Sequence, residues 1–265
     1  MADHSATRED GKVRVVVKRI IKGLALVLLV AAYVYSLTRW GDYYTGSGGL
    51  LKLGAITILY LLSCIMVIWD NRFSDRVNIV ISAFLFCLAP FLCYLLVECA
   101  NSEWSALFVP DAGLSLKLHL FNGMIFVFII LFVFFVTCSY RIASIVTYIF
   151  STLMALTMYY ICMFRGTAFV ASDLYSIGAG LNVAGNYNYD PDFGAFFAIS
   201  ICVCGVCMSA AFRGGLKCGL KVRLIMLAVA VAVCGAFWVT YFKLDYTKDM
   251  KVKLFKPQED RKSVV

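Results

Sequence analysis

Seven long apolar runs alternate with short polar segments along most of this chain. The runs are Leu24–Leu37, Ala55–Trp69, Val77–Val97, Leu118–Cys138, Ile142–Phe164, Phe193–Phe212 and Leu224–Phe242. Most of them approach the ~20 residues that a helix needs to cross the hydrocarbon core of a bilayer, and the first two do so with flanking residues included. Backbone polar groups cannot go unpaired in lipid, so each run is predicted to be an α-helix. The pattern therefore predicts an all-α, polytopic transmembrane helical bundle of about seven spans.

The composition supports one membrane domain. The chain has 265 residues and is 62% hydrophobic, whereas soluble domains are typically about 45–50% apolar. We therefore predict a transmembrane domain over residues 20–242, preceded by a basic cytoplasmic segment at 1–19. Residues 243–265 are expected to form an extracellular connector or a truncated tail. An alternative with six spans and a cytoplasmic tail requires one apolar run to stay out of the membrane.

The placement of charge predicts how the chain is oriented in a cell membrane. The net charge is +8, and many basic residues lie before the first run or between the last two runs. They are Arg8, Lys12, Arg14, Lys18, Arg19 and Lys22 in the first group, and Arg213, Lys217, Lys221 and Arg223 in the second. Such flanks stay in the cytoplasm, so the N-terminus is predicted to be cytoplasmic and the C-terminus, after seven spans, extracellular. These residues lack a folded basic face, so no nucleic-acid partner is expected.

Eleven cysteines raise the question of a metal site, but their surroundings are apolar. The nearest approach to a ligand pattern is Cys202-x-Cys204-x-x-Cys207. On a helix, Cys204 and Cys207 share a face while Cys202 points elsewhere, and no histidine or carboxylate joins them. Buried cysteine behaves as a small hydrophobic residue. We therefore predict no metal site and no catalytic residue in this chain.

The long loop between the fifth and sixth spans differs from the others. Ser172 and Asp173 have side chains that cap helix N-termini. They are followed, at a spacing of three or four residues, by Leu174, Ile177, Leu181 and Ala184. This spacing predicts a short amphipathic helix at the membrane interface. The simplest role for such a helix is to tether the two spans.

The same loop carries a distinctive run of residues. It reads Phe164-Arg165-Gly166, then Ser172-Asp173-Leu174, Ser176, Gly178, Val183-Ala184 and Asn186-Tyr187. This run resembles a region of the lipoteichoic acid synthase family, the sulfatase-like phosphoglycerol transferases of Gram-positive bacteria. The tail at Leu254–Gln258 is similar to the connector into that family's catalytic domain. In the family a membrane bundle precedes an extracellular domain, so the resemblance implies a transferase module of cell-wall biogenesis.

The resemblance implies that the loop faces lipid substrates on the outer side of the membrane. Its candidate headgroup-facing or substrate-facing residues are Arg165, Ser172, Asp173, Asn182, Asn186 and Tyr187. Arg165 could pair with a lipid phosphate, because a guanidinium offers forked donors. The structural alternative is an ion pair between Arg165 and Asp173, or two separately solvated charges. The implied partners are membrane lipids such as phosphatidylglycerol or a glycolipid anchor.

The resemblance also implies that the chemistry lies outside this chain. The family uses a threonine nucleophile and a divalent metal, manganese or magnesium, in its extracellular domain. No cofactor is therefore expected in this chain, which we expect to be a truncated product or a membrane half that is inactive alone. The implied protein partner is a separate or downstream extracellular transferase domain.

Two other functions are compatible with the apolar pattern. One is an accessory membrane protein of cell-envelope polymer synthesis, which would bind a separately encoded enzyme. The other is a small channel or carrier for a neutral or lipidic solute. Ion-coupled transport is disfavoured, because the runs lack the ionisable residues at depth that it normally needs.

Overall fold

The computed structural model describes residues 3–46, 48–71, 73–101, 116–165, 190–212, 214–215 and 219–243. Side chains are described over the same ranges except at 3–14, 116–121, 164–165 and 240–243. Eight helices cover most of these residues. They are α1 (Asp3–Arg39), α2 (Gly41–Thr45), α3 (Gly49–Ile68), α4 (Asp75–Asn101), α5 (Leu116–Thr137), α6 (Tyr140–Arg165), α7 (Phe193–Ala211) and α8 (Leu220–Lys243).

The helices confirm the predicted all-α membrane bundle. In the described part of the chain, α1, α3, α4, α6, α7 and α8 contain the six stretches long and apolar enough to cross a bilayer. The other long helix, α5, has 22 residues, which corresponds to a length of about 33 Å. That length is sufficient for the roughly 30 Å of hydrocarbon that a span must cross.

Contacts between connecting segments show which helix ends lie together. Asn71, between α3 and α4, donates to the carbonyl of Ala211 at the end of α7 (3.1 Å). Ser139, between α5 and α6, forms an isolated backbone bridge with Gly215, which follows α7. These three connections therefore share one end of the bundle, which we call the short-loop end. The opposite end, where α4 and α6 finish and α7 begins, is the long-loop end.

Helix α5 runs from one end of the bundle to the other. At the long-loop end of α4, Asn101 donates to the carbonyl of Ala155 in α6 (3.2 Å). Both α4 and α6 start at the short-loop end, so α5 must run back between them. Over the described residues, seven long helices therefore alternate in direction through the bundle, and six of them contain stretches long and apolar enough to span a membrane.

Helix α8 is antiparallel to α5. Arg223, near the start of α8, donates to the carbonyl of Val136 near the end of α5 (3.5 Å). Phe237, further along α8, packs edge-on against Phe128, with 6.0 Å between ring centroids. Because α1 contacts the α3–α4 connection at the short-loop end, the first helix begins and the last helix finishes at opposite ends of the bundle.

Helices α4, α6 and α7 pack against one another at the centre of the bundle. Helix α3 packs on α7 and also contacts α1, while α5 packs on α4 and α6 and also contacts α8. Small side chains are wholly buried in this centre, namely Ala89, Ala143, Ala155 and Ala198. Small residues let helix backbones approach closely, and this van der Waals packing is a main source of helix association in lipid.

An asparagine pair ties the α3–α4 connection to the bundle. The Asn71 amide donates to the side-chain oxygen of Asn78, and the Asn71 oxygen accepts the Phe73 N–H (3.0 Å). Asn78 is buried and donates to the carbonyl of Phe73 (3.1 Å). Leaving a buried polar group unpaired costs about 1–3 kcal/mol. The pair therefore favours one arrangement of this connection.

A second contact at the short-loop end joins α1 to the end of α3. The Lys22 ammonium lies 2.9 Å from the Asp70 carboxylate. It also donates to the carbonyls of Ile68 (3.2 Å) and Trp69 (3.5 Å). Lys18 lies 3.2 Å from the same carboxylate. Hydrogen bonds from Lys22 and then Lys18 lower the pKa of Asp70, so this carboxylate stays ionised at neutral pH.

The Lys22→Met variant is expected to destabilise the α1–α3 pair by about 0.3–1 kcal/mol, the range for a cation at a helix C-terminus. The reason is that Lys22 contacts the last carbonyls of α3 as well as the carboxylate. Lys18→Met is the matched control, since the Lys18 side chain is 66% exposed and contacts the same carboxylate. Thermal unfolding in detergent checks this, and equal Tm shifts in the two variants would contradict it.

Candidate functional site

The predicted substrate-facing loop leaves the bundle at the long-loop end, where α6 finishes at Arg165. The structure describes the backbone of this residue. The other five candidate residues lie outside the described residues: Ser172, Asp173, Asn182, Asn186 and Tyr187. The predicted interfacial helix and the predicted Arg165–Asp173 pair lie outside them as well. What the structure shows of this site is how the chain returns to the bundle.

Two aspartates hold the segment that enters α7. The Asp192 carboxylate accepts the Ala195 N–H (2.8 Å) and so caps α7 in the ordinary way for an N-cap aspartate. The Asp192 N–H donates to the phenol oxygen of Tyr159 in α6 (3.1 Å). Asp190 lies 3.5 Å from the guanidinium of Arg39 at the end of α1, and both side chains are exposed. The segment from Asp190 to Asp192, through which the chain re-enters the bundle, is therefore attached to α1, α6 and α7.

An aromatic cluster packs beside this return. It consists of Trp40, Tyr43, Tyr44, Phe193 and Phe196. The Trp40 ring lies 4.7 Å from that of Phe196 and 6.2 Å from that of Phe193, measured between centroids. Tyr43 stacks on Phe193 at 5.5 Å. Because Phe193 and Phe196 lie in the first turn of α7 and the others lie at the α1–α2 turn, the cluster joins these two parts of the bundle.

Two of the aromatic residues in the cluster have polar or charged neighbours. The Tyr44 hydroxyl lies 3.2 Å from the Ser36 hydroxyl. Burial raises the pKa of Tyr44, and the hydrogen bond with Ser36 opposes this only in part. The Lys52 ammonium lies 4.3 Å from the centroid of the Tyr43 ring, a cation–π distance. The cluster therefore presents aromatic rings, a neutral phenol and a cation at one end of the bundle.

These groups suit binding and anchoring at a membrane interface. Tryptophan and tyrosine prefer the headgroup depth of a bilayer, because each ring has an apolar body and a polar edge. Arg39 and Lys52 add cations that can attract anionic headgroups. Over the ranges that the structure describes, no three His, Cys, Asp or Glu side chains are grouped to hold a metal ion. The divalent metal that the family resemblance implies therefore has no fitting ligand set among these residues.

The chain matches no protein-family model, no curated protein and no solved structure. The class of protein that the fold defines is a polytopic α-helical membrane protein. The resemblance of the Phe164–Tyr187 run to the lipoteichoic acid synthase family remains a prediction from its residues.

Sequence reasoning identified part of the long-loop end. Trp40, Tyr43 and Tyr44 are of the residue types that prefer the membrane interface, and the structure adds that their rings pack against Phe193. The Arg39–Asp190 pair is a finding of the structure. The sequence makes this ion pair possible, because the two residues carry opposite charges on the same predicted side of the membrane. It does not identify Asp190 as the partner of Arg39, since the same side holds several other acidic residues.

Proposed function

We propose that this chain is the membrane-embedded, lipid-facing module of a phosphoglycerol transferase similar to the lipoteichoic acid synthase family. The observation that carries the proposal is the run from Phe164 to Tyr187, which resembles a region of that family. In this proposal the transfer reaction belongs to a separate or downstream extracellular domain. The task of this chain is to position the lipid that carries the glycerophosphate.

The described contacts at the long-loop end support a positioning role. The loop begins at the end of a long helix and returns through Asp190 and Asp192, which bond to Arg39 and Tyr159. Groups that orient a substrate act best when rigid elements hold them. The aromatic cluster beside the return has the residue types that stay at headgroup depth. In this proposal, the fixed ends of the loop keep its entry and exit beside the headgroup region.

The proposed orientation follows from charge. Among the described residues, Lys18, Lys22 and Arg223 lie toward the short-loop end, which the positive-inside rule assigns to the cytoplasm. The long-loop end then faces the extracellular side, where Arg165 would bind the phosphate of phosphatidylglycerol or of a glycolipid anchor. Arginine suits this role because its forked donors match two phosphate oxygens.

The proposal predicts that the chain assists a transferase domain and that Arg165 contributes to this. Proteoliposomes containing the chain and fluorescent phosphatidylglycerol would be mixed with a sulfatase-like phosphoglycerol transferase domain, and diacylglycerol release measured. The chain should raise the rate, and Arg165→Ala should raise the KM for the lipid about tenfold, as expected for one lost charge-assisted hydrogen bond. The kcat should change less, because binding is lost before the chemical step.

The matched control is Arg76→Ala, which removes an exposed arginine at the short-loop end and should leave the KM unchanged. A rate that is the same with and without the chain would refute the positioning role. A chain that binds the transferase but keeps full activity as Arg165→Ala would instead be an accessory protein.

A further inference from the structure

Helix α8 is attached to the bundle along one narrow face. Between residues 220 and 239 none of its side chains is buried, and five are partly buried. These five are Arg223, Leu227, Ala230, Cys234 and Phe237. Their alternating spacing of four and three residues forms a single stripe on a helix. This stripe contains the described contacts with α5, at Arg223 and Phe237.

Beside this stripe lies an apolar cleft of about 500 Å³ between α5, α6 and α8. Its lining includes Phe128 and Phe132 from α5, Val146 and Phe150 from α6, and Ala230 and Cys234 from α8. Phe132, Val146 and Phe150 are also exposed on the surface of the bundle. The cleft therefore opens sideways, toward the lipid that surrounds a membrane protein. Its volume is within the range of small-molecule sites.

A cation lies on the same stripe of α8, one turn before Leu227, which lines the cleft. This cation is Arg223, and its guanidinium reaches the carbonyl of Val136 on α5 (3.5 Å). Lys221 and Arg141 lie in the first turns of α8 and α6, at the same short-loop end. A guanidinium has five donors in a forked arrangement that suits phosphate. The cleft is thus apolar along its length, and three cations lie beyond it at the short-loop end of the bundle.

The dimensions of the cleft fit one phospholipid. From Arg223 to Cys234 the helix rises about 16 Å. This is about half the thickness of the hydrocarbon core, which is the depth that the acyl chains of one leaflet occupy. A ligand with an anionic head and an apolar tail of that length is complementary to the whole feature.

We propose that the cleft between α5, α6 and α8 binds one anionic glycerophospholipid from the leaflet at the short-loop end. Its phosphate contacts Arg223, and one acyl chain lies along Ala230 and Cys234. The lipid thereby adds packing to a helix whose described protein contacts are few. The site is at the opposite end of the bundle from Arg165, so this proposal does not rest on the proposed function.

The test measures lipid retained by the purified chain. Protein in detergent is incubated with phosphatidylglycerol or phosphatidylcholine of identical acyl chains, and native mass spectrometry counts the bound lipids. Wild type is expected to retain phosphatidylglycerol in preference to phosphatidylcholine. The Ala230→Phe variant fills the cleft and should lower this retention about tenfold, equivalent to roughly 1.4 kcal/mol. The matched control is Val229→Phe, which adds a similar bulk at a neighbouring residue whose side chain is 56% exposed and should retain the lipid.

The headgroup contact is tested separately with Arg223→Gln. This variant should lose the preference for phosphatidylglycerol by about tenfold, because a charge-assisted hydrogen bond to the phosphate is removed. Arg76→Gln, an exposed arginine at the same end, should keep the preference. If Ala230→Phe does not fold, Val146→Phe fills the cleft from α6 and should have the same effect.

Equal retention by the cleft-filling variants and Val229→Phe would overturn the proposal. An unchanged lipid preference in Arg223→Gln would also overturn it. A shift in oligomeric state on filling the cleft, seen by native mass spectrometry, would assign the cleft to a second copy of the chain instead.

Discussion

Replacing Gly205 with alanine is expected to destabilise the bundle by about 1–3 kcal/mol, the range for overpacking a close-packed interior. A Cβ atom at Gly205 of α7 would lie 2.4 Å from Cζ and 2.6 Å from Cε1 of Tyr148 in α6. Tyr148 is 3% exposed, so its ring cannot move aside without displacing other buried groups. The two helices would therefore have to separate, which weakens the close packing that holds helices together in lipid.

The matched control for this prediction is Gly235→Ala, because no atom lies within 4 Å of a Cβ atom at Gly235. Alanine has a better helix propensity than glycine by about 0.8–1.0 kcal/mol, so the control should be neutral or stabilising. Thermal unfolding in detergent compares the two variants. Adding Tyr148→Ala to Gly205→Ala should give a non-additive effect, since the two residues are in contact. Equal Tm values for the two glycine variants would rule out this close packing.

The Phe193→Ala variant is expected to lower stability by about 2 kcal/mol, from several ring contacts worth about 0.5–1.5 kcal/mol each that do not add fully. Phe193 is 4% exposed. Its ring centroid lies 5.5–6.2 Å from those of four neighbours, Trp40, Tyr43, Tyr44 and Phe197. The loss should be smaller than the roughly 3–5 kcal/mol of a soluble core, because unfolded apolar segments stay in detergent rather than in water.

Phe84→Ala provides the matched control for Phe193. It makes the same change on α4, at a side chain that is 66% exposed, so the Tm should change little. Phe193→Ala should also shift the fluorescence of Trp40 to longer wavelength, because the indole loses a buried neighbour. Equal Tm values, or an unchanged emission in the Phe193 variant, would contradict a stabilising role of the aromatic cluster.

The apolar runs predicted the helices well because lipid offers the backbone no other way to pair its polar groups. The bounds were less accurate. Helix α3 begins at Gly49 although its apolar run begins at Ala55, and α8 begins at Leu220 rather than Leu224. Hydropathy marks the part of a helix inside hydrocarbon, whereas the helix itself continues into the interface. The short helix α2 was missed for the same reason, since its residues lie between two spans.

The packing order of the helices was not predictable from the apolar pattern. Lipid covers an apolar helix face about as well as another helix does, so uniformly apolar runs such as those of α5 and α8 do not reveal a buried side. Their neighbours depend on local shape, as where Gly205 meets the Tyr148 ring. The same limit applies to ion pairs, because charge placed Arg39 and Asp190 on one side of the membrane without pairing them.

One cysteine, in α7, bears on the prediction that buried cysteines act as small hydrophobic residues. Cys204 is buried, and its sulfur lies 3.8 Å from that of Met208, one helical turn away. In this contact the thiol of Cys204 donates a weak hydrogen bond to the Met208 thioether, within the interior where cysteine serves as a small hydrophobic residue. The candidate residues after Arg165 are a different case, since they lie outside the described residues and their roles stay predictions.

The single stripe on α8 has a mechanical consequence. Helix α4 has neighbours on several sides, whereas α8 meets the bundle mainly through α5. A pulling force applied to the residues after Lys243 would reach the bundle first through the contact between α8 and α5. That contact would then break before those of the central helices, and the other six long helices would stay assembled while α8 detached.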